Sequence, residues 1–314
     1  MATRAARQQT TFGRQVSKQG IGLHTGAECA VRFLPAEADA GIVFVSKGVA
    51  VPATVDSVAG TDRATTLGLG AAKIGGVEHL LAALWAMGVD NGRVEAEGPE
   101  VPACDGSAAE WVALLRKAGR KRLGAPAADG RLSQAVWVGG GDSWALAAPA
   151  SRLAFGVAVE YPGTAAGRQT VWLPLSRRRF AAEVAPARTF CLREEYEELL
   201  AAGLARGGGL ENAFVVLARP PCGGEAGGYS GPLRFPDEVV RHKALDLIGD
   251  ISLCGRRFAA HIIAVRPSHR LNVELARAVR GALRVRSGQA LRPLPAGRAE
   301  GGASQGRRRR ETGR

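Results

Sequence analysis

The stretch RHKALDLIGD, residues 241–250, places His242 and Asp246 four residues apart, with Asp250 one turn further on. On a helical wheel with His242 at 0°, Asp246 falls at about 40° and Asp250 at about 80°. Val240, Ala244, Leu247, Ile248 and Ile251 fall between about 140° and 240°, on the other side. A histidine and an aspartate one above the other on a helix make a two-point grip on a metal ion. The same spacing also describes a solvated polar face. A second pair, Glu78–His79, opens an apolar segment whose buried stripe is Val77, Leu80, Leu81 and Leu84. An adjacent Glu and His in a first turn suggest one ligand beside one base, or a capping Glu beside an exposed His.

The elements that would carry these residues are legible from pattern. A helix is expected over Val77–Met87, closed by Gly88, and another over 237–249. Ser107 with Glu110 three residues on forms a capping-box pattern, and Gly119 lies just past the apolar run, so a helix is expected over Ser107–Ala118. Further helices are expected at 193–202 and 272–284. Strands are expected at 29–34, 42–46, 135–138, 152–160, 168–173, 213–217 and 258–265. His261 alternates with apolar residues in the last of these and reads as a buried strand histidine. Residues 120–131 mix charge, Pro and Gly without an apolar period, the pattern of a boundary. Runs of strands followed by helices argue α+β, in two domains that each pack a sheet against helices. The division is expected as 1–122, 130–295 and a disordered basic tail at 296–314.

The chain has 314 residues, 46% of them hydrophobic, enough for two medium cores. The longest apolar run, Leu80–Val89, is about half of the roughly 18–20 residues that span a bilayer. The N-terminus has no apolar core of a secretory signal, so a cytoplasmic location is expected. Cys29, Cys104, Cys191, Cys222 and Cys254 are scattered and odd in number, which suggests idle thiols rather than a disulfide framework or thiolate zinc site. The formal charge is +13, but +4 lies in residues 1–20 and +4 in 296–314, leaving +5 on the body. That body suits an anionic substrate such as a nucleotide diphosphate as well as it suits RNA. The tail, with no apolar side chain larger than Ala, is expected to be dispensable for catalysis. Its arginines would give weak peripheral attraction to anionic lipid, at about 1 kcal/mol per basic residue near the surface.

GIGLHTG (20–26), ATTLG (64–68), VEHLLAAL (77–84), DNGRVEAEGPEVPACDGSAAEWV (90–112), ARTF (187–190), GLARGGGLENAFVV (203–216), LRFPDEVVRHKALDLIGD (233–250) and SHRLN (268–272) occur in that order. Together they resemble the UDP-3-O-acyl-N-acetylglucosamine deacetylases, zinc amidases of lipid A synthesis, over about residues 14–285. The resemblance implies a soluble enzyme, expected as a monomer with no nucleic-acid partner, acting on a UDP-linked acylated glucosamine. It implies that His79, His242 and Asp246 bind one zinc and leave a fourth position for water, although such ligands accept iron as readily. It makes Glu78 the general base. His269 becomes the cation that stabilises the oxyanion and protonates the leaving amine, with Asp250 orienting it. Thr189 and Lys243 serve the oxyanion and the nucleotide phosphates. His24 either lines the site or supports it. The acyl chain would run past Leu192, Tyr196 and Leu200, which equally fit a core stripe.

The sequence departs from the family where Gly usually follows ARTF and Cys191 stands instead, where Pro267 and Arg270 flank Ser268–His269, and in the Gly-rich loop 222–230. These bear on substrate fit and leave the proposed ligands and acid/base groups in place. Two other readings stay open: a divergent zinc amidase acting on another N-acyl sugar, and a basic nucleic-acid-binding protein working through its Arg-rich ends.

Overall fold

The structure is a computed structural model that describes residues 7–218 and 228–284; the tail 296–314 and most of the loop 222–230 lie outside them. The first half runs β1 (Gln8–Phe12), β2 (Val16–Ile21), β3 (Glu28–Leu34), β4 (Ile42–Ser46), β5 (Val49–Pro52), β6 (Val58–Gly60), β7 (Thr66–Leu69), β8 (Ala72–Ile74), α1 (Glu78–Met87), β9 (Gly92–Glu97), α2 (Ala109–Ala118) and β10 (Arg120–Pro126). In β3 every second side chain (Cys29, Val31, Phe33) is buried, as a sheet with one covered face requires. The strands β2, β3, β9, β4 and β5 form one sheet in that order, antiparallel except where β4 runs parallel to β9. β6, β7 and β8 make an antiparallel meander. α1 ends at Gly88, whose φ of 85° lets its N–H reach back to the Leu84 and Trp85 carbonyls.

Two local expectations are corrected. The capping box at Ser107 does not form: α2 starts at Ala109 behind Ala108, and the Ser107 oxygen accepts from the Ala109 amide, at 3.1 Å. The Ser107 hydroxyl donates to Asp105 at 2.7 Å, and Glu110 pairs instead with Lys18 from β2. Residues 120–126, read as irregular, are strand β10, antiparallel to β1 at the other end of the half. Charge-rich residues form a strand there because β1 pairs with them, and that partner lies more than a hundred residues away, where no local pattern reports it.

The second half continues with β11 (Gly130–Leu132), β12 (Val136–Gly140), β13 (Ser143–Pro149), β14 (Ala154–Tyr161), β15 (Gly167–Pro174), the short turn α3 (Arg177–Arg179), β16 (Thr189–Leu192), α4 (Arg193–Ala201), β17 (Ala213–Val216), α5 (Glu238–Ser252), β18 (Phe258–Val265), α6 (His269–Ala282) and β19 (Leu283–Arg284). Seven strands form one sheet around β18, which pairs antiparallel with β13 and parallel with β14 and β11. α5 packs on β14 and β15, and α6 on β12 and β13. No helix among the described residues covers the opposite face. There His261 is exposed, with the Trp172 ring edge-on to it at 5.2 Å, so the expectation of a buried histidine is overturned. The alternation in FAAHIIAV is real, but the helices cover the face that carries Phe258, Ala260, Ile262 and Ala264.

Among the described residues, strand pairing never crosses from residues before 127 to residues after 129. The halves meet instead through helices: α1 packs on α5, and their apolar faces belong to one continuous core. Gly249 makes that contact close. A Cβ built there would collide with the Glu78 carbonyl oxygen and stand 2.8 Å from its carbonyl carbon. Alanine would gain about 1 kcal/mol in helix propensity. Against that stands a backbone clash of the kind that costs typically about 1–3 kcal/mol. Gly249→Ala is therefore expected to lower unfolding stability by up to about 2 kcal/mol in urea titration and to loosen metal binding together with it. A more stable variant that binds metal normally would show that the close approach is not needed. No helix among the described residues is long and apolar enough to cross a membrane.

Candidate metal centre and active-site cleft

The contact of α1 with α5 brings His79 from the first helix against His242 and Asp246 of the other. One ligand atom from each lies within 4.8 Å of the rest. His79 Nε2 is 3.3 Å, and His242 Nε2 3.4 Å, from the same oxygen, Asp246 Oδ1. The two imidazoles meet edge to face, 4.9 Å between centroids. His242, Asp246 and Asp250 are 3%, 2% and 0% exposed, which rules out the solvated polar face as an account of this side of α5.

The donor set fits a cation. Asp246 Oδ1 is buried and has no hydrogen-bond partner among the described residues, a costly arrangement unless a positive ion completes it. Its other oxygen, Oδ2, accepts from Lys243 Nζ at 3.2 Å. His242 Nδ1 donates to the Ala187 carbonyl at 3.2 Å, which leaves Nε2 as the lone-pair nitrogen aimed at Asp246. Burial drives His242 down to about 4, so at neutral pH it carries the uncharged form that ligates metals. Burial raises Asp246, but His242, Lys243 and His79 outweigh it and hold the carboxylate well below its ordinary range. Burial likewise lowers His79, and the close approach and charge of Asp246 reverse the sign, so His79 is raised. A cation at this point would take over the role that the His79 proton plays.

A second cluster lies beside the first. Glu78 is 5% exposed, and its Oε2 accepts from the Thr65 amide at 3.0 Å. Burial pushes the Glu78 carboxyl up, only partly offset by the charges of His269 and His79. His269 Nδ1 lies 2.9 Å from Asp250 Oδ2, which also accepts from Asn272 Nδ2 at 2.9 Å. Burial alone would discharge His269, but the Asp250 carboxylate prevails and raises it to about 9. α6 starts at His269, three residues earlier than the sequence suggested, because Ser268 caps it by accepting from the Leu271 amide.

Both clusters open into one cavity of about 710 Å³, a size typical of small-molecule sites. Thr189 and Lys243 line it, as do Glu78, His79 and His269. Asp250 sits behind His269, away from the cavity wall. Lys243 Nζ lies 5.6 Å from the Phe190 ring centroid. An apolar side of the cavity is built from Phe190, Leu199, Ala213 and Val215. The helix α4 contributes Tyr196 and Leu199; Leu192 and Leu200 do not line this cavity, and Leu200 is 49% exposed, which corrects the spacing read from the sequence. Cys191 sits in extended strand β16, so it needs no glycine-like φ there, and burial raises its thiol to about 11. His24 lines the cavity, its loop held by Glu100, which accepts from the His24 and Thr25 amides.

A buried ion pair that the sequence reading did not single out fixes the placement of Thr189. Arg188 donates through its amide and Nε to Glu238 Oε1 at 2.9 and 3.0 Å, and the Arg234 amide donates to Glu238 Oε2 at 2.6 Å. Glu238 is 0% exposed and opens α5, so this one carboxylate ties the ARTF segment to the helix that carries His242 and Asp246. Its signal in the sequence was only an Arg before Thr and a Glu before an apolar helix, both of which read as surface charges.

Comparison with known proteins agrees with this geometry. The family model for UDP-3-O-acyl N-acetylglycosamine deacetylase matches residues 9–280. A protein from an Anaeromyxobacter species named UDP-3-O-acyl-N-acetylglucosamine deacetylase is 42% identical over 273 residues, covering 86% of this chain and 88% of its own. The protein of the same name from Myxococcus xanthus is 42% identical over 279 residues, covering 86% of each chain. That from Trichormus variabilis is 41% identical over 280 residues, covering 86% of this chain and 98% of its own. A match that spans both halves and contains every residue of the two clusters settles the family: the chain belongs to the UDP-3-O-acyl-N-acetylglucosamine deacetylases.

Proposed function

We propose that this chain hydrolyses the N-acetyl group of UDP-3-O-(3-hydroxyacyl)-N-acetylglucosamine to acetate and the free amine, the committed step of lipid A biosynthesis. The observation that carries the reading is the meeting of His79, His242 and Asp246 beside Glu78 and His269 in one cavity with an apolar side. The three ligands would hold zinc, or iron of the same charge, and the ion would supply Lewis acidity for amide hydrolysis with one position left open. Glu78, raised by burial, takes a proton from the attacking water. His269, charged and held by Asp250, faces the oxyanion and then gives its proton to the leaving nitrogen. Thr189 and Lys243, both lining the cavity, would serve the oxyanion and the substrate phosphates. Leu199, Phe190 and Val215 offer the acyl chain an apolar surface.

The same reading divides the chain into domains at 1–122 and 130–295, with the metal joining them, and makes it a cytoplasmic monomer with at most weak peripheral attraction to anionic lipid. His79→Ala, His242→Ala and Asp246→Ala are each expected to lose bound metal and most turnover, because three ligands leave none to spare. Metal analysis beside an assay on the acylated substrate checks this. Stoichiometric metal in all three variants would sink the site. Equal turnover of the unacylated analogue by the native chain would point to a different N-acyl sugar.

A further inference from the structure

Thr65 touches both acid/base groups. It is wholly buried in the turn before β7. Its amide donates to Glu78 Oε2 at 3.0 Å, and its hydroxyl donates to Asp250 Oδ1 at 2.6 Å. The same hydroxyl oxygen lies 3.3 Å from His269 Nδ1. Asp250 is 0% exposed, so each of its oxygens needs a partner inside the protein. Asn272 and His269 occupy Oδ2, and among the described residues Thr65 is the side chain that satisfies Oδ1. Without that hydroxyl the carboxylate loses the contact that sets its rotation, and the imidazole it holds loses its aim.

We propose that Thr65 is a positioning residue for this reaction: its amide sets the carboxylate of Glu78, and its hydroxyl, through Asp250, sets the imidazole of His269. The inference rests on the roles given to Glu78 and His269 above. The fold arranges the link economically. The turn at Thr65 lies over the start of α1, where the Val77 amide donates to the Thr65 carbonyl at 3.3 Å, so one residue spans from the helix with Glu78 to the helix with Asp250. A serine keeps the hydroxyl and loses a methyl. A valine keeps the shape and the amide, and loses only the hydroxyl's bonds.

The test uses the metal-loaded enzyme. Thr65→Val is expected to keep its metal and its KM within about threefold, and to lose kcat by roughly 10- to 100-fold, the range for removing a group that orients a functional side chain. Thr65→Ser should recover to within about threefold of the native rate, on the same scale. If Thr65 acts through Asp250, Thr65→Val should cost little more once Asp250 is already Asn, since residues acting as one unit are not additive. If the valine variant is poorly folded, Thr65→Ala, which removes the hydroxyl without setting a methyl against Asp250, takes its place with the same expected loss. A native rate in Thr65→Val, a serine variant as slow as the valine one, or full additivity with Asp250→Asn would each overturn the proposal. Absence of turnover by the native chain on the acylated substrate would instead overturn the reaction on which it rests.

Discussion

Glu78→Gln is expected to retain its metal and to lose turnover by roughly 10²-fold or more, the scale of a positioned general base. Glutamine keeps the shape and can still accept the Thr65 amide hydrogen bond, so the loop and helix should stay in place. Metal should stay because the three ligand atoms belong to His79, His242 and Asp246, while Glu78 Oε2 is turned toward Thr65. What the variant lacks is a group to receive the proton of water. Burial matters to the size of the effect: a carboxylate raised above its ordinary value takes a proton more readily than a solvated one. Metal analysis and steady-state kinetics on one preparation decide the matter. A metal-free variant would make Glu78 a ligand, and normal turnover would leave it without a role.

His269→Ala is expected to lower kcat by about 10²-fold and to remove the basic limb of the pH profile. The sign follows from the direction of the shift. His269 is raised in the folded chain to about 9, against about 6.5 for a free imidazole. The imidazolium, with its bond to Asp250, is fully present below 6.5 and is lost as pH climbs through the folded value. Both the donated proton and the stabilisation from the ion pair therefore fade on the alkaline side. A dication at the three ligands opposes the imidazolium, so in the loaded enzyme the limb should fall between these two values. An unchanged profile in His269→Ala would place the acid on another residue.

Much of the site was readable along the chain. The i, i+4 spacing of His242 and Asp246 fixes their shared face on any helix, and the apolar stripe at Val240, Ala244, Leu247, Ile248 and Ile251 makes that helix. Glu78–His79 at the start of an apolar decapeptide, closed by Gly88, is local in the same sense. These patterns depend on residues a turn or two apart, so the sequence states them directly. Local competition is where such reading fails: Ser107 has the right spacing for a capping box, but its amide goes to Asp105, Glu110 goes to Lys18, and the Ser107 hydroxyl oxygen accepts from the Ala109 amide at the very start of α2.

What the sequence by itself determined, then, was the type of each functional residue, the helix or strand that bears most of them and, through ordered motifs, the family. Only the tertiary structure decided that α1 and α5 cross closely enough, over Gly249, for two histidines and an aspartate to meet. It alone showed that the polar face of α5 is buried, that Glu238 anchors the segment before Thr189, and that Thr65 joins Glu78 to Asp250. It also chose which face of β18 the helices cover, leaving His261 outside. Each of these depends on partners far apart in the chain, and their meeting is set by how whole helices and sheets pack, a property that spacing along the sequence does not carry.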